Sequence, residues 1–213
     1  MKLNIINNLK KYINFKDGFF IEAGAHDGLF QSNTLYYEKE LNWTGLLIEP
    51  NFMNYLLCLK NRSNTKTVNC GLVSFDTYLK KKKVLLENNA SPMDKIVSDG
   101  LFNKLKIIFF KKKLTPINVI PLHILLKNLS IKKVDLLSLD VEGYELDTLK
   151  GINFKETEIT YICIEVWTKN KNKIFNLLKN ENYKLIANLS NFNKNDYPKW
   201  SGNHNDYLFK LSK

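Results

Sequence analysis

The chain has 213 residues, 44% hydrophobic and 25% charged, enough for one globular domain around a single core and with no apolar run long enough to cross a bilayer. Its net charge of +11 comes from 31 lysines and a single arginine, Arg62. Arginine is the side chain suited to bidentate phosphate and guanine contacts, so its scarcity argues against a nucleic-acid partner and reads instead as the bias of an AT-rich coding sequence.

Met1 to Phe15 alternates apolar residues with Asn and Lys and lacks the apolar middle of a signal peptide, so the expected location is the cytoplasm of the cell that makes the chain, a host cytoplasm if the source is viral. Phe19 to Ala23 is a buried-strand run that ends in Gly24. Ser32 and Asn33 are good caps for a helix running to Leu41. Gly45 to Glu49 is a second strand closed by Pro50, Phe52 to Leu59 repeats apolar residues at helical spacing, and Thr67 to Val73 predicts a third strand. The rhythm then breaks from Ser74 to Asn118, where lysine clusters at Lys80–Lys83 and Lys111–Lys113 flank mixed stretches, Leu101 to Phe110 among them. This is expected to be an insertion, part hairpin or helix and part loop, forming either a surface excursion or a lid over an acceptor pocket. Alternation resumes with a helix at Leu122–Leu129, a strand at Val134–Val141, a helix at Glu145–Lys150 closed by Gly151, a strand at Thr160–Val166 and a helix at Lys171–Asn182. Tyr183–Leu189 and Tyr207–Leu211 predict a terminal strand pair. This order implies an α/β fold in one domain, with a mostly parallel sheet and helices on both faces. Cys58, Cys70 and Cys163 lack the spacing of a disulfide framework or zinc site and are expected reduced.

Three stretches carry chemistry. In Glu22-Ala23-Gly24-Ala25-His26-Asp27-Gly28 a buried strand runs into two glycines and then a helix. Glycines there allow a sharp turn and close approach of a ligand, and cofactors of open α/β sheets sit beyond the carboxyl ends of the strands. The spacing is Gly-x-x-x-Gly, not that of dinucleotide binding, and no Walker loop is present. Glu49, ending the second strand, can take both hydroxyls of a ribose. In Leu137 to Glu145 the carboxylates Asp140, Glu142 and Glu145 cluster where an apolar strand meets a helix, a crowding relieved by a cation, a proton or a polar ligand. Glu142 and Glu145 would share a helix face if that helix starts early.

These residues together resemble the FkbM family of methyltransferases: Phe20 to Gly28 with Ser32-Asn33-Thr34, Gly45 to Pro50, Val134 to Gly151, and Ile162 to Val166 with Glu165. The resemblance implies a Rossmann-like class I fold with a seven-stranded sheet, one strand antiparallel, and an O-methyltransferase using S-adenosylmethionine, many of whose relatives act on sugar hydroxyls. Glu22, Gly24, Ala25, His26, Asp27, Gly28, Ser32, Asn33, Glu49 and Asn51 would then serve the cofactor. Asp140 and Glu142 would serve the acceptor as base or as oxygen ligands for Mg²⁺. His204, on a late loop, is a candidate base, and His123 is expected to be structural. The segment Pro121–Leu125 and the 74–118 insertion depart from the family pattern, so a glycan or other small-molecule acceptor is an expectation only. An RNA methyltransferase, suggested by charge, and a non-catalytic binding module are the rival readings.

Overall fold

The computed structural model describes residues 3–82, 84–88, 95–98, 113–190, 195 and 203–212. In chain order these form α1 (Leu3–Leu9), β1 (Phe19–Ala23), α2 (Leu35–Leu41), β2 (Thr44–Ile48), α3 (Phe52–Asn61), β3 (Lys66–Val68), β4 (Gly71–Leu72) and α4 (Phe75–Leu79). There follow β5 (Val84–Asn88), β6 (Lys95–Ser98), β7 (Lys113–Pro116), β8 (Val119–Ile120), α5 (Leu122–Asn128), β9 (Lys133–Leu139) and α6 (Glu145–Leu149). The chain continues with β10 (Glu158–Trp167), a 3₁₀ turn at Thr168–Asn170, α7 (Lys171–Asn180), β11 (Tyr183–Asn188) and β12 (His204–Leu211).

Seven strands make the main sheet in the order β11-β12-β10-β9-β1-β2-β3. All neighbours are parallel except β12, which runs antiparallel to both β10 and β11. Alternate strand residues feed two cores, because successive side chains of a strand point to opposite faces. Ile21, Leu46, Leu137 and Ile162 join Leu122, Leu126, Leu149, Ile174 and Leu178 of α5, α6 and α7 on one face. Phe20, Leu47, Leu136 and Cys163 join Ile5, Leu9 and Ile13, with Tyr37, Trp43 and Cys58, on the other. The result is a three-layer α/β sandwich, with the one antiparallel strand that was expected. From β1 the chain works outward through β2 to β3, and from β9 it works the other way through β10. The sheet order thus reverses between β1 and β9, where the carboxyl ends of the strands open a crevice.

The strand expected at Thr67–Val73 is two strands: β3 belongs to the main sheet and β4 pairs with β8 in a separate ribbon. The break falls at Asn69, whose Nδ2 donates to Glu49 O at 2.8 Å and Pro50 O at 3.0 Å and so ties the chain to the end of β2. Helix α2 begins at Leu35 rather than at the expected caps, with Ser32 Oγ accepting from Leu35 N at 3.0 Å. Within the expected insertion, α4 is capped by Ser74 and an antiparallel sheet runs β6-β5-β7. Val84 and Leu86 of β5 pack with Val73, Ile117 and Tyr144, which sets this sheet beside the loop that follows β9. The apolar stretch Leu101 to Phe110 lies outside the described residues. Cys58, Cys70 and Cys163 are free thiols and buried.

Candidate active site

The carboxyl end of β1 is bonded to both neighbouring strand ends: Asp140 N, just past β9, donates to Ala23 O at 3.2 Å, and Gly24 N donates to Ile48 O, the end of β2, at 3.0 Å. Gly24 has φ +81°, and a Cβ built there would lie 1.9 Å from Asp140 O. Only glycine lets the two strand ends close up in this way. Against them lies an open cleft. Its lining includes Glu22, Gly24, His26, Phe30, Gln31, Asn33, Glu49, Asn54, Ser138, Asp140 and Glu142. His26, Gln31 and Glu142 are non-glycine residues with φ of 51°, 55° and 53°. Left-handed backbone of this kind gathers at functional sites.

Glu49 is 5% exposed, and each of its oxygens already accepts one backbone N–H: Oε2 from His26 and Oε1 from Asn51, both at 2.8 Å. These bonds hold the carboxylate in place at the edge of the cleft. Glu22 is committed differently. Its Oε1 accepts from Asn33 N at 2.7 Å, and its Oε2 from Ser32 Oγ at 2.7 Å and Thr34 Oγ1 at 2.6 Å. It therefore shapes the segment 32–34 that carries Asn33 into the cleft. Asn33 donates Nδ2 to Ser138 Oγ at 3.0 Å, while its Oδ1 is buried without a hydrogen-bond partner, an acceptor suited to a ligand ammonium.

Arg62 is fully buried beneath the same segment. Its Nε donates to Glu38, Nη1 to Gly28 O at 3.0 Å and Ser32 Oγ at 3.3 Å, and Nη2 to Thr34 Oγ1 at 3.3 Å, with Glu22 Oε2 at 3.8 Å. One planar fork thus locks α3, α2 and the loop over the cleft, a task that a lysine's single nitrogen cannot perform. Burial raises the Glu38 carboxyl, but Thr65 and Arg62 outweigh it and hold the group below its ordinary value. The net charge of the chain rests on its lysines, and the one arginine works inside.

The end of β9 and the strands beside it gather carboxylates. Glu142 stands in the left-handed turn before α6, not on the helix, so it does not share a face with Glu145. Glu145 is fully buried, and its Oε1 accepts from Val141 N at 3.2 Å and Gly143 N at 2.9 Å while Oε2 has no hydrogen-bond partner. Burial pushes its carboxyl up to about 7. Glu165, on β10, is raised well above the usual carboxylate range by burial and then by the charges of Asp140, Asp206, Glu145 and Glu142. It accepts from Trp167 Nε1 at 2.8 Å and lies 3.6 Å from His204 Nε2. Trp167 and His204 face each other across β10 and β12, ring centroids 5.8 Å apart.

A model of the methyltransferase FkbM domain matches residues 22–186. The chain belongs to the FkbM methyltransferase family. No curated protein matches the sequence. Among solved structures, the FkbM methyltransferase of Methylobacillus flagellatus is 15% identical with a TM-score of 0.55, over 94% of this chain and 45% of that one. TrmK of M. capricolum, bound to S-adenosylhomocysteine, is 13% identical with a TM-score of 0.53, over 98% and 68%. A TehB-like S-adenosylmethionine-dependent methyltransferase of Corynebacterium glutamicum is 9% identical with a TM-score of 0.51, over 98% and 88%. The family's activity is S-adenosylmethionine-dependent methyl transfer, and an acidic cleft with a buried, unpartnered amide oxygen fits that cationic cofactor.

Of the residues expected to serve the cofactor in this FkbM domain, Glu22, Gly24, His26, Asn33 and Glu49 line the cleft. Ala25, Asp27, Gly28, Ser32 and Asn51 stand behind it. Asp27 Oδ1 accepts from Leu29 N at 2.9 Å and Phe30 N at 2.6 Å; burial raises its carboxyl, and those bonds outweigh it. Gly28 backs onto Arg62 and Cys58, Ser32 holds Glu22, and Asn51 caps α3. Asp140 and Glu142 line the cleft, whereas His204 sits beside Glu165 on β12. His123 packs near Phe75, on α5 and outside the cleft lining. Among the described residues no group of three or more His, Cys, Asp or Glu is placed to hold a metal. Sequence reasoning missed Ser138, Phe30, Gln31 and Asn54 in the lining. Ser138, a hydroxyl inside the apolar run Leu136 to Leu139, was the one with a signal.

Proposed function

We propose that the chain is an O-methyltransferase acting on a sugar hydroxyl of a glycan or glycoconjugate. When bound, S-adenosylmethionine would supply an electrophilic methyl carbon: the acceptor oxygen bonds to it as the carbon–sulfur bond breaks, and S-adenosylhomocysteine leaves as a neutral thioether. The chain's residues must then bind the cofactor, align a hydroxyl and remove its proton. In this reading Glu49 takes the ribose hydroxyls, the Asn33 amide oxygen accepts from the ammonium end, and Gly24 gives the cofactor room against the strand ends. Asp140, in the cleft lining, takes the proton from the acceptor hydroxyl, and Glu142 orients that acceptor. His204 and the carboxyl of Glu165 supply polar contacts to the rest of the sugar, against the indole of Trp167. The observation that carries the reading is the pair of carboxylates Asp140 and Glu142 in the cleft lining, whose charges reach Glu165, itself bonded to the Trp167 indole. Such a lining suits a neutral polyol and repels an anionic backbone. Magnesium on Asp140 and Glu142 would need water or a substrate diol to fill its shell.

RNA remains the rival acceptor on account of the +11 charge. The only arginine is fully buried, which removes the guanidinium contacts such a surface favours. The test is titration with S-adenosylhomocysteine, then methyl transfer from labelled S-adenosylmethionine to nucleotide sugars, oligosaccharides and transfer RNA. Expected are micromolar cofactor binding lost in Glu49→Ala and label in a carbohydrate. Label in RNA alone would refute the sugar reading, and a folded protein that binds no cofactor would leave a binding module.

A further inference from the structure

Helix α3 turns its apolar side to solvent. Phe52, Met53, Leu56, Leu57 and Leu59 are 59%, 65%, 41%, 42% and 41% exposed. Its inner side is the polar one: Cys58 donates to His26 O, Asn61 to Asp27 O, and Arg62, just beyond the helix, to Gly28 O and Glu38. At 100° per residue the five exposed apolar residues and Lys60 fall within an arc of about 160°. That reverses the pattern of a surface helix. The inner side is polar because it meets the cofactor loop; nothing in that contact requires the outer side to be apolar. With about 200 Å² for a whole large apolar side chain, the exposed parts sum to roughly 500 Å², at the upper end of what a monomer's surface carries.

We propose that this face of α3 docks on an anionic lipid bilayer. Area and charge favour this occupant over a second copy of the chain. Roughly 500 Å² is short of the about 800 Å² per partner that a stable protein interface takes. Two chains of net charge +11 repel one another, whereas the same charge is drawn to an anionic surface. Lys60 stands within the apolar arc and Lys66 opens the adjoining edge strand β3, both exposed. Large apolar side chains in one plane with lysines among them are the make-up of a helix lying flat at the headgroup level. Pro50 and Asn54, at the start of α3, also line the cofactor cleft, so docking would hold the mouth of that cleft at the bilayer.

The test is co-sedimentation of the full chain with vesicles of phosphatidylcholine, with and without about 30% phosphatidylserine, for the parent, for Met53→Gln/Leu56→Gln/Leu57→Gln and for Lys60→Glu. The parent is expected to sediment with the anionic vesicles only. The bound fraction should fall about tenfold or more in the triple variant and several-fold in Lys60→Glu. Unchanged melting temperature and S-adenosylhomocysteine affinity would show that both variants fold. Failure of the parent to bind, or equal binding by both variants, overturns the proposal. So does a concentration-dependent dimer of the parent that the triple variant abolishes, since the face would then belong to a second copy.

Discussion

Replacing Arg62 with lysine keeps the charge and removes the fork. The guanidinium donates to Glu38, Gly28 O, Ser32 Oγ and Thr34 Oγ1 from three nitrogens and has Glu22 at 3.8 Å. A lysine ammonium has one nitrogen and three N–H bonds, so if it keeps Glu38 it leaves at least one of the other acceptors without a donor in a fully buried place. Each such loss costs about 1–3 kcal/mol, and the misfit of the carboxylates adds to it, so a loss of about 2–4 kcal/mol is expected. In a chain of this length that lowers the melting temperature by roughly 5–15 °C. Because segment 32–34 carries Asn33 into the cleft, loosening it by about 1.4 kcal/mol weakens cofactor binding about tenfold. Urea unfolding and titration with S-adenosylhomocysteine measure the two effects. Arg62→Met should cost more than Arg62→Lys, and adding Glu38→Met should recover part of that loss, since a lone buried carboxylate is then removed. An Arg62→Lys protein within about 0.5 kcal/mol of the parent and with unchanged affinity would refute the reasoning.

Gly24→Ala should abolish detectable S-adenosylhomocysteine binding, because its methyl would have to sit 1.9 Å from Asp140 O at a φ of +81°; binding at parental affinity would show that the strand ends can part. Glu145, ordinarily near 4.5, is pushed up to about 7 by burial, so folding takes up a proton between those values. Its contribution is therefore full below about pH 4.5 and falls by roughly 3 kcal/mol as pH rises to 7. Glu145→Gln should flatten that slope in urea unfolding at pH 5 and 8, and a variant with the parental slope would contradict the assignment. Asp140→Asn should lower kcat by about 10²- to 10⁴-fold while S-adenosylhomocysteine still binds. Methyl transfer by the parent should survive EDTA, and loss on chelation would move Asp140 and Glu142 from base to metal ligands.

The strand and helix order was legible because each central strand is a short apolar run and each amphipathic helix repeats at its own period. The Gly24 turn and the carboxylates at Glu49 and Asp140 were legible for the same reason, as breaks in those runs. What stayed hidden depends on partners distant in the chain. Glu22 was legible as a cleft residue, but the bonds from Ser32, Asn33 and Thr34 that fix its carboxylate were not. Arg62 registered only as a compositional oddity, since its role exists only once α3 lies under the loop. The apolar repeat from Phe52 to Leu59 specifies a helix without saying which side faces inward, and here the polar side does. The split at Asn69 hinges on one amide reaching Glu49 O and Pro50 O, which no local pattern encodes.

Strand β12 is the last described strand in the chain, yet it lies in the interior of the sheet between β10 and β11. During synthesis the facing edges of those two strands have no partner until residues 204–211 have left the ribosome. The lining of the cofactor cleft, from Glu22 to Asn54 and Ser138 to Glu142, is complete much earlier. The two halves of the site thus mature at different times: a nascent chain can form its nucleoside pocket before His204 and Asp206 arrive. Premature termination between Asn188 and His204 would leave the facing edges of β10 and β11 open, a target for quality control rather than a weakened enzyme.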